Sequence, residues 1–190
     1  MSENKNMSVF EAISTRRSVR NFTDEIISRE TMDELIRFGT MAASARNKQP
    51  WAFLVMQGKE EILKHDEPAK AKRLETLPIN TPYHRLLSNP DYRVFQNSSN
   101  LLLIYGDAKN PFYVNDCTLA AANIMLAAHG IGLGTCWIGF AANYLNTPEF
   151  KSEYGVEDGY ELVCAMTIGY PASPVTKVPP RRKPIMFNQD

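Results

Sequence analysis

Cys117-Thr118-Leu119-Ala120-Ala121-Ala122-Asn123-Ile124-Met125-Leu126-Ala127-Ala128 decides the architecture. Only Thr118 and Asn123 are polar, and the helix that contains the run reads from Asn115 to His129. A helix apolar on all sides has to be buried on all sides. In a chain of 190 residues, this predicts a sheet on one side and a second subunit on the other. The run is shorter than the ~20 apolar residues that a bilayer requires, so no membrane partner is expected.

Downstream, Gly130-Ile131-Gly132-Leu133-Gly134-Thr135 lacks the GxGxxG spacing and follows a helix instead of a strand. It reads as a helix cap and tight turn, not a dinucleotide fingerprint. Cys136-Trp137-Ile138-Gly139-Phe140 reads as extended, and Gly139 would let the backbone approach a ring closely. Thr147-Pro148-Glu149 opens a short helix that Gly155 ends. Tyr160–Ile168 is a strand stopped by Gly169-Tyr170-Pro171.

Upstream, Trp51–Met56 and Leu101–Tyr105 read as buried strands. Ser28 caps a helix with Met32, Leu35, Ile36 and Gly39 on one face, running into the small-residue stretch Met41–Ala45. Residues 59–75 alternate charges and predict one or two solvated helices. Pro78, Pro82 and Pro90 predict loops and short helices over a site.

Two polar stretches stand out. Ser8-x-x-Glu11 is a capping-box start for a helix with Val9, Phe10 and Ile13 on its apolar face. Arg16-Arg17-Ser18-Val19-Arg20 falls in and just after its last turn. The guanidinium groups suit either the helix C-terminus or a bound anion. Asn47-Lys48-Gln49-Pro50 breaks the next helix, and Pro50 pushes Gln49 toward extended backbone. The amides of Asn47 and Gln49 suit the edge of a heterocycle, or ordinary turn chemistry. The tail from Ala172 carries Arg181-Arg182-Lys183 and too little apolar surface for a core of its own; it lies on another surface or stays disordered.

Formal net charge is +0, which leaves no global field for nucleic acid. Cys117, Cys136 and Cys164 are far apart and show no metal-ligand spacing, so reduced thiols and no metal are expected. The N-terminal Met-Ser-Glu-Asn-Lys-Asn is polar and lacks a signal-peptide core, so a cytoplasmic location is expected. His65 and His84 sit in polar regions and His129 ends a helix; none has a partner motif.

From residue 8 to 186 these elements, in this order, resemble the FMN-dependent nitroreductase family. The resemblance is carried by Arg16–Arg20, by Asn47-x-Gln49-Pro50-Trp51-x-Phe53, and by the apolar helix leading to Gly132-Leu133-Gly134-Thr135 and Trp137-Ile138-Gly139-Phe140. Gly169-Tyr170-Pro171 and Pro180-Arg181-Arg182-Lys183-Pro184 complete it. It implies an α+β fold, a mostly antiparallel sheet flanked by helices, in an intertwined homodimer. Residues 1–190 would form a single FMN-binding domain, with 172–190 an extended arm on the partner subunit. Arg16, Arg17, Ser18 and Arg20 would come from one subunit, Arg16 on the FMN phosphate and Arg20 at the pyrimidine end. Ala43, Ser44, Ala45, Asn47 and Gln49 would come from the other. Trp137, Ile138 and Gly139 would lie near flavin N5, the last two as backbone donors, and Arg181 and Arg182 would close on the phosphate. Many members carry an acid where Ile138 stands. The activity implied is NAD(P)H-dependent reduction of a small nitroaromatic, quinone or similar acceptor, with hydride passing through the flavin and no catalytic protein residue. Dehalogenation, oxidation of a bound substrate, or a non-catalytic flavin carrier are the alternatives.

Overall fold

The computed structural model describes residues 7–174 and 179–187. The polar N-terminus and parts of the tail, 1–6, 175–178 and 188–190, lie outside the described residues. Four strands form one sheet in the order β1-β2-β4-β3: β1 (Trp51–Gln57), β2 (Asn100–Asp107), β3 (Gly134–Trp137) and β4 (Tyr160–Gly169). Every neighbouring pair is antiparallel. The family's α+β class is therefore seen directly.

Alternation along the central strand explains the two cores. Leu101, Leu103 and Tyr105 join one cluster with Met56 and Ala165, while Leu102 and Ile104 join another with Cys164, Met166 and Ile168. Helices cover both faces, so β2 is apolar at nearly every position and shows no polar alternation in sequence. A bulge between Ile104 and Tyr105 shifts the β2–β4 register by one residue, since Ile104 faces Cys164 and Tyr105 faces Leu162. β1 is an edge strand and most of it is half-buried, less enclosed than the sequence suggests.

α2 (Arg29–Thr40) and α6 (Tyr113–Gly130) lie together on one face. Gly39 permits their contact: a Cβ there would fall 2.7 Å from Ile124 Cδ1. α6 buries Cys117, Ala120, Ala121, Ile124 and Ala128, while Leu119 and Val114 are about half exposed. Its C-terminus closes as a Schellman motif. Leu133 N–H donates to Ala128 C=O at 2.8 Å and Gly132 N–H to His129 C=O at 3.1 Å, with Gly132 at φ +87. α1 (Val9–Thr15) starts at Ser8, whose Oγ accepts from Glu11 N–H. Its expected apolar face is present but exposed, with nothing among the described residues covering it: Val9 and Ile13 are 60% exposed and Phe10 82%.

On the other face lie α3 (Lys59–Leu63), α4 (Asp66–Leu74), α5 (Pro82–Leu87), α7 (Ala142–Leu145) and α8 (Pro148–Glu153). The charged stretch is two helices, as read, but not wholly solvated, because His65, Asp66 and Lys70 are buried. His65 sits between two tyrosines. Tyr154 Oη donates to Glu61 Oε1 at 2.7 Å and so accepts from His65 Nε2 at 2.8 Å; His65 Nδ1 then accepts from Tyr144 Oη at 2.7 Å. Phe150 packs edge-on against the imidazole. The network ties α3 and α4 to α7 and α8.

Burial holds His65 below the usual imidazole pKa, and Lys64 adds to the effect. The folded chain keeps this imidazole neutral, while the unfolded chain protonates it near pH ~6.5. Its contribution is therefore complete above that pH and is lost as the pH falls from there through the lower pKa of the folded state. His65→Gln should cost about 1–3 kcal/mol at neutral pH, because the part-buried hydroxyls of Tyr144 and Tyr154 lose their common partner. The variant should also lose less stability than the parent on acidification. Urea unfolding of both proteins at pH 7.5 and 5.5 checks this, and identical pH slopes would refute it.

Candidate cofactor site

Beyond β3 the chain leaves the sheet through Ile138-Gly139-Phe140, and there an open cavity of about 290 Å³ is found. Arg20 supplies one wall. Residues 18–23 run along the end of the sheet, with Val19 N–H on Thr135 C=O at 3.0 Å and Thr23 N–H on Tyr170 C=O at 2.9 Å. Val19 is buried against Gly134, where a Cβ would fall 2.5 Å from Val19 Cγ2. This close contact seats the segment, and the next residue, Arg20, is exposed and lines the cavity.

The floor is Cys136 to Phe140. Ile138 N–H donates to Ala165 C=O at 2.7 Å, extending the ladder past β3. The expectation of two backbone donors narrows accordingly: of the pair, Gly139 keeps an N–H with no partner among the described residues. A Cβ on Gly139 would meet nothing within 4 Å. The absent side chain thus enlarges the cavity and relieves no contact within the protein. Burial pushes the Cys136 thiol up, against the opposing pull of Arg20 and Arg16. It stays protonated at neutral pH and is a poor nucleophile.

Arg16 is the C-cap of α1, so the arginines follow the last turn and none lies in it. Arg17 turns back: its Nη1 donates to Ser14 C=O at 2.9 Å and Arg16 C=O at 2.6 Å. It thereby neutralises the carbonyl end of the helix, while its Nε is buried without a partner. Arg16, Arg17 and Arg20 form no ion pair with a carboxylate among the described residues. Ser18 bridges to Thr135. Beside them, His129 Nε2 lies 2.8 Å from Thr15 Oγ1, its pKa lowered by burial and then by Arg16 and Arg17.

The loop after α2 takes a different form from the one expected. The helix stops at Thr40, before the small-residue stretch. Gln49 is left-handed, at φ +47, where extended backbone was expected, and Arg46 and Asn47 are left-handed at +52 and +53. Pro50 disfavours the right-handed helical region for Gln49, and the turn escapes to the other side. Such residues cost on the order of 1–3 kcal/mol each unless their surroundings hold them. Here Gln49 N–H donates to Ser44 Oγ at 3.0 Å, Gln49 Nε2 to Asn47 Oδ1 at 3.0 Å, and Ala45 N–H to buried Asp116 Oδ1 at 3.1 Å. Ala43 is exposed.

One chain does not bring these residues to one place. Ala45, with Arg46 and Lys48, lines a second cavity of about 440 Å³. Its anchor, Asp116, is in the first turn of α6, whereas His129 and the arginines are at the opposite end. Thirteen helical steps separate Asp116 from His129, roughly 20 Å. Arg181 and Arg182 are exposed, and among the described residues the one hydrogen bond from either is Arg181 Nη1 to Pro179 C=O at 3.5 Å. Sequence reasoning missed Arg73, Tyr92, Val94 and Gln96, and gave no site role to Cys136 or Phe140 on either side of Trp137–Gly139; these six complete the first cavity. The region's charge pattern concealed Arg73; Gln96 carried the same amide signal as Asn47 and Gln49.

The nitroreductase family model matches residues 13–170. A Methanothermobacter thermautotrophicus protein named putative NADH dehydrogenase/NAD(P)H nitroreductase is 30% identical over 167 residues, spanning 87% of this chain and 78% of the relative. Human iodotyrosine deiodinase 1 is 25% identical over 193 residues, 93% of this chain and 65% of its own. A solved nitroreductase with bound FMN from Desulfitobacterium hafniense shares the fold, with a TM-score of 0.82 at 21% identity over 100% of both chains.

Two glycines near the cavity should behave oppositely. Gly134→Ala should cost about 1–3 kcal/mol by overpacking Val19 and should displace the segment bearing Arg20. Gly139→Ala should leave the melting temperature within a few degrees of the parent. Thermal unfolding of the pair decides it; equal destabilisation would show that Gly139 serves packing.

Proposed function

The chain belongs to the nitroreductase family of FMN-dependent NAD(P)H oxidoreductases, and we propose that it works as a homodimer that reduces conjugated acceptors by ping-pong exchange at two shared sites. The observation that carries this reading is the joining of Arg20 and Gly139 in one cavity that holds no activated nucleophile. Bound FMN supplies the hydride-accepting chemistry.

The chain's own residues bind and polarise. Arg16 has no carboxylate partner among the described residues and would hold the phosphate dianion through charge-assisted hydrogen bonds. Arg20 would place a cation at the pyrimidine end, where reduction gathers negative charge, and so favour the reduced state. Gly139 N–H would donate toward the reacting nitrogen. Val94 and Cys136 would exclude water from this side. The second half of each site would come from Ala43–Gln49 of the other subunit, since those residues and the arginines occupy opposite ends of α6. Cover for Phe10, Ile13 and Leu119 would come from the same contact. The arm at 172–190, with Arg181 and Arg182, would lie on the partner.

The purified protein should be yellow, with one FMN per subunit, and should bleach anaerobically with NADH or NADPH. A colourless protein that takes up no FMN would end this reading. Arg20→Ala should retain much of its flavin but lower the midpoint potential, as spectroelectrochemistry would record; an unmoved potential would remove Arg20 from its role.

Shared sites make a second prediction. Arg16→Ala and the double variant Asn47→Ala/Gln49→Ala should each lose most bound FMN. Co-expressed under two tags and purified as the mixed dimer, they should regain about one FMN per two chains, because one site is then built wholly from parental residues. A mixed dimer as empty as its parents would place both halves on the same subunit.

A further inference from the structure

Arg73 is conspicuous within its own helix. Lys70 pairs with Glu67 at 2.7 Å and Lys72 with Glu75 at 2.8 Å; in α3, Lys59 pairs with Asp24 at 2.6 Å. Arg73 has no carboxylate partner among the described residues, and its Nε is buried without any hydrogen bond. A guanidinium in that position should attract an anion. Its side chain is also held in place: Nη1 lies 3.2 Å from Thr76 Oγ1, and Asn143 Nδ2 reaches the same oxygen at 3.4 Å. Thr76 thus links the end of α4 to α7.

Arg73 lines the same cavity as Arg20 and Gly139. Around it the wall is aromatic. Tyr92, Trp137 and Phe140 line the cavity, Tyr92 meets the Phe140 ring edge-on at 6.4 Å between centroids, and Tyr83 does so from behind at 5.7 Å. Aromatic walls suit a flat, conjugated molecule. A fixed cation among them suits one that also carries a negative group, because a neutral analogue would leave the guanidinium without a partner.

We propose that Arg73 sets acceptor specificity by binding the carboxylate of a planar aromatic acceptor. The inference rests on the flavin reading of the cavity above. The same charge could instead serve a phosphate of the nicotinamide donor, and the test separates the two.

The probes are benzoate and its neutral isostere benzamide, titrated into the FMN-loaded protein and followed by the flavin's visible difference spectrum. In the parent, benzoate should bind the tighter. Arg73→Gln should weaken benzoate by about 10- to 100-fold relative to benzamide, the range for a lost charge-assisted contact. Arg73→Lys should restore part of the preference. FMN content and circular dichroism, measured on all three proteins, establish that fold and cofactor persist. Anaerobic reduction by NADPH, measured by stopped flow, should slow by much less than benzoate binding weakens. An unchanged benzoate-to-benzamide ratio overturns the proposal, as does a loss confined to the NADPH step, which would assign Arg73 to the donor. A parent protein that takes up no FMN would overturn the flavin reading itself.

Discussion

The burial of α6 is the constraint from which the other placements follow. A helix with so few polar side chains cannot end or turn in water without help. The Schellman closure at Gly132 satisfies its last carbonyls and returns the chain directly into β3. At the other end, buried Asp116 sits in the first turn, where the helix dipole favours an anion. Its carboxylate then fixes Ala45 and the loop that follows α2. The two ends of one helix thereby position two different groups of polar residues, and the sheet beneath keeps them apart.

Much of this was legible in the chain. The strands, the caps at Ser8, Ser28 and Thr147, and the glycine-rich stop after α6 all rest on local chemistry, and local chemistry is what sequence records. What escaped reading depends on contacts between distant segments. Arg17 could serve a helix end or an anion, and only its folded position shows it on Ser14 and Arg16 carbonyls. Gln49 was expected to be extended because proline restricts its neighbour; the same restriction also permits the left-handed region, which the bonds Gln49 donates to Ser44 Oγ and Asn47 Oδ1 select. His65 looked solvated amid charges, yet three aromatic rings enclose it.

The cavity illustrates the same limit. Arg20, Ile138 and Gly139 were found because backbone pattern marks them. Arg73 and Tyr92 were not, because they reach the cavity from α4 and from a loop whose course no local pattern dictates. These walls come from segments far apart in the chain, and only the folded structure brings them beside Arg20 and Gly139.

The position of β1 at the sheet edge has a consequence for synthesis. Trp51–Met56 has no charge, proline or glycine, and among the described residues its one strand partner is β2. β2 begins only at Asn100, so a ribosome exposes β1 well before anything can pair with it. An unpaired run of this kind is a template for neighbouring chains. The charged helices α3 and α4, which emerge immediately after it, are then more than a cover for the finished core. Their charges also flank, in the growing chain, a strand that has no sheet partner until β2 is made.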